Sequence, residues 1–253
     1  MLLDQQIALV TGAGSGIGQA VAMAYAEAGA TVMLLGRSQK ALEKTHDRIL
    51  QQGNQAVIVP LDLEKELHRM ADVVQNIHAR FGRLDILVHA AAQLGVLTPL
   101  AAYEPPLWET VFRVNVTAPF FLTRELLPLL HRSAAASVIN ITSSVGHKGR
   151  AYWGAYAASK AALVNLTETW SEELAPTPIR INSVNPGATA TTMRAQAFPG
   201  EDPTTLPTPA AIVPVFLYLA SRHSAHLRGQ HLEAREWLHW CPDMTSPQPI
   251  KAT

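Results

Sequence analysis

The sequence predicts an α/β fold of the doubly wound kind, a parallel sheet of about seven strands with helices on both faces. Two observations carry this. Apolar runs of strand length alternate with amphipathic segments of helix length almost from end to end. That alternation is the pattern of parallel strands buried by crossover helices. The first of them, ALV, leads straight into a glycine-rich turn and a helix.

In order, the strands read as QIALV, ATVMLLG, QAVIVPL, LDILVHA, ASVINIT, IRINSVN and the weaker GQHLEA. Helical periodicity fills 17–28, 38–52, 64–81, 104–131 with a break, 155–175 and 209–221. Right-handed crossovers put these helices on both sheet faces and direct ligands to the carboxyl ends of the strands. Two stretches interrupt the alternation. Pro, Thr and Gly are dense from Thr189 to Pro209, which predicts a mobile substrate loop, and the tail 234–253, above all CPDMTSPQPIKAT, reads as a frayed end. One domain over 1–253 is expected.

At 253 residues, 48% hydrophobic and 16% charged, the chain can bury one substantial core. Twenty Lys and Arg balance twenty Asp and Glu, so no global field favours nucleic acid or an anionic membrane. Cys241 is the one cysteine and has no internal partner, which fits a reducing cytoplasm. No basic region followed by a long apolar segment opens the chain, and IVPVFLYLA is too short to span a bilayer. A cytoplasmic protein is expected. His223 and His226 are spaced by three, but no H-E-x-x-H or paired-cysteine pattern accompanies them, so no metal is expected. Trp237 and Trp240 read as a packing stripe and HRSAAAS as a turn.

The glycine turn has the spacing T-G-x-x-x-G-x-G. Gly12, Gly16 and Gly18 would permit the turn, let backbone approach a pyrophosphate and let the helix pack on its strand. Free N–H groups at the helix start near Ile17, with Ser15 beside them, would attract the phosphates. Cofactor choice is read at the end of the second strand, where Gly36 replaces the ribose-binding carboxylate and Arg37 follows. NADP is therefore expected in preference to NAD, unless Arg37 is only a solvated helix-start residue. Asp62, followed by Leu63, ends the third strand, placed either to accept from an adenine amino group or to cap the next helix.

Tyr156 and Lys160 lie at i and i+4 in WGAYAASKAAL, on one face of a helix. A phenol ordinarily titrates at about 10. A neighbouring ammonium should lower that value and make Tyr156 a usable acid or base. Ser143, at the carboxyl edge of the fifth strand, can hydrogen-bond a substrate carbonyl. Asn115 is an amide inside a helical segment, and holding a water that relays protons to Lys160 would explain it.

These residues, with TGAGSGIG, YAASK and NPGATATTM in that order, resemble the short-chain dehydrogenase/reductase family of the small, single-domain Rossmann type, over about residues 5–233. LLGRSQKALEK, WGAYAASK and MRAQAFPGEDP are similar to a group of bacterial short-chain oxidoreductases. The resemblance implies NAD(P)-dependent hydride transfer to or from a carbonyl or alcohol. Tyr156 would be general acid/base, Ser143 would orient substrate, and Lys160 and Asn115 would support the proton relay. It further implies that Ala90, Pro186, Gly187, Thr189 and Thr191 border the cofactor. Homodimers or homotetramers built on the Tyr156 helix are implied too; Ala158, Ala161 and Ala162 there would suit a second subunit or packing on the sheet equally.

Two departures from the family pattern stand out. The N-N-A-G element after the fourth strand is His89, Ala90, Ala91 and Ala92 here, which removes a bracing amide and adds a methyl near the cofactor. The closing D-G-G is absent. Substrate selection is expected from the 189–209 loop, Tyr152, Trp153 and the segment after Ala92, apolar or uncharged apart from Arg194. Two other functions stay open on sequence: a cofactor-binding sensor or scaffold without turnover, and an epimerase or dehydratase that uses its cofactor transiently.

Overall fold

The structure, a computed structural model, describes residues 1–242. Seven strands pair in parallel in the order β3-β2-β1-β4-β5-β6-β7, with β1 Ile7–Thr11, β2 Thr31–Gly36, β3 Ala56–Pro60, β4 Ile86–His89, β5 Ser137–Ile141, β6 Arg180–Asn185 and β7 His231–Glu233. All seven expected strands are present. Side chains alternate between faces along each strand, and both faces are buried. Ala8, Val10, Val32, Leu34 and Val88 pack with helices α1 (Gly16–Glu27) and α2 (Gln39–Gln51) in one apolar layer. Leu9, Met33, Leu35, Leu87 and Val138 meet α3 (Met70–Phe81) in the other. The order reverses at β1, between β2 and β4, so a crevice opens at the carboxyl ends of these strands.

The remaining helices are α4 (Pro105–Phe112), α5 (Ala118–Leu130), α6 (Ser144–His147), α7 (Gly154–Glu173), α8 (Thr192–Ala197) and α9 (Pro214–Ala220). Three boundaries differ from expectation. The helix expected from 64 starts at Met70, because Asp62 Oδ1 accepts from Glu64 N–H and Glu66 Oε2 accepts from Asp62 N–H, which holds the chain in a turn. The break within 104–131 is a π-helical turn, Arg113–Thr117, so α4 runs into α5 without a loop. The helix expected from 209 starts at Pro214 after turns in which Ala211 N–H donates to the Thr208 hydroxyl.

The 189–209 segment, expected as a mobile substrate loop, carries the short helix α8. Thr191 caps α8 by accepting from Arg194 N–H at 3.1 Å, and Arg194 then pairs with Glu201. At the carboxyl end, the Tyr218 ring packs against Trp237 and Trp240, as the stripe reading expects. Residues 243–253 of the expected frayed tail lie outside the described residues. Among the described residues no helix is long and apolar enough to cross a membrane, and no cluster of His, Cys, Asp or Glu could hold a metal ion.

Candidate active site

A cleft of about 490 Å³ lies along the carboxyl edge of the sheet. Every candidate cofactor residue lines it: Gly12, Ser15, Gly16, Ile17 and Gly18 at one wall, Arg37, Asp62 and Leu63 at one end, Ala90, Pro186, Gly187, Thr189 and Thr191 toward the other. Gly12 has φ +67°, and a Cβ there would lie 2.9 Å from Ala91 Cα. A Cβ on Gly18 would fall on the Gly12 carbonyl, so only glycine lets α1 pack this closely on the turn. Ser15, in extended conformation before α1, makes no side-chain cap, which leaves the first N–H groups of α1 to an anion. Arg37 is exposed and follows Gly36 directly, with no carboxylate at that strand end. A cradle of this shape suits a pyrophosphate, and a guanidinium in this place suits a further phosphate. Asp62 is spent in part on its own turn, through the Glu64 N–H bond of 2.9 Å.

At the opposite end, Ser143, Tyr156 and Lys160 line the same cleft. Ser143 precedes α6 without spending its hydroxyl on a cap. Lys160 is buried, donates from Nζ to the Ile141 carbonyl at 2.7 Å, and lies 5.6 Å from the centre of the Tyr156 ring. Gly146 lets α6 pack closely on α7: a Cβ there would lie 2.9 Å from the Lys160 carbonyl carbon.

The electrostatics correct one expectation. Burial pushes the Tyr156 phenol up to about 12, against a smaller downward pull from its hydrogen bond with Ser143. Burial brings the Lys160 ammonium down to about 8. Desolvation outweighs the expected help from Lys160, whose ammonium is directed at the Ile141 carbonyl. At neutral pH the phenol keeps its proton and the lysine its charge.

Asn115 does not line the cleft. Its Nδ2 donates to the Gln93 carbonyl and to Ser159 Oγ, both at 2.9 Å, and its Oδ1 accepts from Gln93 N–H at 2.8 Å. Both amide protons of Asn115 are thus held by protein. It ties the segment after β4 to α7, while the Ser159 hydroxyl donates to the Tyr156 carbonyl at 2.8 Å. The π-helical turn presents Asn115 for this bridge.

The chain matches the family model described as short chain dehydrogenase over residues 6–202. The chain belongs to the short-chain dehydrogenase family. It is 43% identical over 236 residues to the Escherichia coli oxidoreductase YciK, covering 92% of this chain and 93% of that one. A Shigella flexneri chain described as a short-chain dehydrogenase complexed with NADP superposes with a TM-score of 0.90 at 43% identity, covering 92% and 98%. A Pseudomonas syringae chain described as a short-chain dehydrogenase reaches 0.90 at 47%, covering 92% and 96%.

Against this family, the His-Ala-Ala-Ala departure has its own bracing. Thr11 Oγ1 accepts from Ala90 N–H and Ala91 N–H, each at 3.0 Å, so a hydroxyl on β1 pins the segment. His89 is buried and shares a 2.9 Å hydrogen bond with Thr123 Oγ1, which makes it a satisfied core histidine. Gln93 donates to Glu64 Oε2 at 2.9 Å across the cleft. Gln93, Glu64 and Gly146 stood in no motif, while Thr11 and Ser159 stood inside TGAGSGIG and YAASK without a role of their own.

Proposed function

We propose that the chain is an NADP-dependent oxidoreductase that transfers a hydride between nicotinamide and a carbonyl or secondary-alcohol substrate, with Tyr156 as general acid/base. A bound NADPH would supply the hydride. Tyr156 holds the proton destined for the carbonyl oxygen, Ser143 orients that oxygen, and Lys160 stabilises the phenolate left behind. Asn115 acts as a positioning residue, through Gln93 and Ser159. The Gly12 to Gly18 turn with Ser15 and Ile17 holds the pyrophosphate, and Arg37 the ribose phosphate. Asp62 and Leu63 flank the adenine; Ala90, Pro186, Gly187, Thr189 and Thr191 flank the nicotinamide half.

The observation that carries this reading is that Ser143, Tyr156 and Lys160 share one cleft with the glycine turn. The NADP described for the Shigella flexneri relative supports the cofactor. We further propose one domain with its substrate loop at 189–209, working in the cytoplasm as a homodimer or homotetramer built on the outer face of α7, where Ala161 is exposed.

The test is a titration with NADPH and NADH, repeated on Arg37→Ala. NADPH should bind more tightly, and the substitution should shrink its advantage by about 1.5–3 kcal/mol, the worth of a charged hydrogen bond. Tighter binding of NADH by the unmutated protein would overturn the cofactor assignment.

A further inference from the structure

Trp153 lines the cleft beside Tyr156, and Phe198 packs on Trp153 next to that lining. The Trp153 ring meets the Tyr156 ring edge-on at 5.9 Å between centroids, and the Phe198 ring lies 5.6 Å from Trp153. Two guanidinium groups cover these rings, and they differ in one respect. Arg194, 3.7 Å from the Phe198 centroid, is neutralised by Glu201 through hydrogen bonds of 2.5 Å and 2.6 Å. Arg150 lies 5.7 Å from the Trp153 centroid and 5.1 Å from that of Phe198. It is exposed, and among the described residues no carboxylate pairs with it.

Arg150 is held in place by backbone. Trp153 N–H donates to the Arg150 carbonyl at 3.2 Å and closes a turn. Within that turn Tyr152 has φ +72°, a position that glycine or asparagine usually occupies. Its carbonyl accepts from Thr98 N–H at 3.1 Å. The turn that sets Trp153 against Tyr156 therefore also sets Arg150 over the same indole.

Resting on the oxidoreductase reading above, the geometry points to a carbonyl substrate that carries an anionic group remote from the reacting carbon, with Arg150 as the residue that binds it. The carbonyl sits at Tyr156 and Ser143, the apolar body lies along Trp153 and Phe198, and the anion meets the guanidinium. The ring-to-ring step of 5.9 Å and the ring-to-guanidinium step of 5.7 Å limit the spacer to one aromatic ring or a short aliphatic chain. A guanidinium resting against aromatic rings is oriented by them, which leaves its N–H groups free for an anion. Its planar fork accepts carboxylate or phosphate.

Matched pairs of aldehydes test this with NADPH: 4-carboxybenzaldehyde against its methyl ester, and 4-formylphenyl phosphate against 4-methoxybenzaldehyde. The kcat/KM should favour the anion by about tenfold or more in at least one pair, the preferred pair identifying the group, and added salt should reduce the preference. Arg150→Gln should lower the ratio by about tenfold, with Arg150→Lys retaining part of it. Lys148→Gln, an exposed neighbour that stacks on neither ring, should leave the ratio unchanged. Calorimetric titration of both anionic aldehydes into the protein mixed with oxidised NADP, which cannot reduce them, should show saturable binding of the preferred one, about tenfold weaker in Arg150→Gln. Equal turnover within both pairs, or a ratio unmoved by Arg150→Gln, sinks the inference and leaves the oxidoreductase reading intact. If no aldehyde is turned over, these four compounds are not substrates and kcat/KM yields no ratio. Binding then decides alone: Arg150-dependent saturation supports the anion site, and its absence removes it.

Discussion

Tyr156 and Lys160 owe their chemistry to burial more than to each other. A phenol held up at about 12 is protonated throughout the physiological range, the state needed to donate to a carbonyl oxygen as hydride arrives. The cost is a phenolate left in an apolar place. The Lys160 ammonium, 5.6 Å from the ring centre, is the charge on hand to stabilise it. That ammonium titrates at about 8, so it is present below that pH and lost above it. Reductive kcat/KM is therefore expected to be level through neutrality and to fall as pH rises past about 8. A profile flat to pH 10 would remove Lys160 from the reaction. Tyr156→Phe keeps the ring against Trp153 and deletes the proton, so kcat should fall by about 10²–10⁴ while NADPH affinity changes little. A variant retaining a tenth of the turnover would dismiss the phenol as acid.

Elements explain why some of this was legible in sequence and some was not. The central strands β1, β2 and β4 could be read because they are buried apolar runs bounded by turn residues, whereas the polar β6 and the short β7 were read from the alternation of strand and helix. The glycine turn was legible because each glycine answers a backbone need that another residue would violate. Asn115 could be singled out but its role could not, since its partners Gln93 and Ser159 lie 22 and 44 residues away. In the 189–209 segment, proline density obscured a local signal, Thr191 capping a turn that starts α8. The turn at Arg150 to Trp153 was hidden for the opposite reason: a tyrosine occupies a left-handed position where sequence rules look for glycine or asparagine. That conformation costs a non-glycine residue about 1–2 kcal/mol. Tyr152 is 60% exposed, so little burial is lost on replacing it. Tyr152→Asn is expected to stabilise the protein by about 1 kcal/mol, raising Tm by about 2–4 °C. An unchanged or lower Tm would show that the exposed ring contributes more than the strain costs.

For the whole molecule, the balance of twenty cationic and twenty anionic side chains keeps net repulsion small near neutrality. Individual buried groups then weigh more in how stability first responds to acid. His89 is one such group, at the end of β4 beneath the cleft, with its imidazole against Thr123. Burial first, and the Lys160 ammonium second, lower its pKa from 6.5 to about 3. The folded state thus refuses a proton that the unfolded chain accepts. Above pH 6.5 neither state is protonated and the group costs nothing. As pH falls from 6.5 toward 3 the unfolded state gains the proton first, and stability drops by about 1.4 kcal/mol per pH unit from this residue. His89→Asn places at this position an amide that does not titrate and can still bond Thr123. Urea unfolding at pH 7, 6 and 5 should show the unmutated protein losing stability more steeply than the variant, by about 1.4 kcal/mol per unit below pH 6.5. Parallel losses in the two proteins would mean that the His89 imidazole takes up its proton in the folded state, against its burial among β4 and α5.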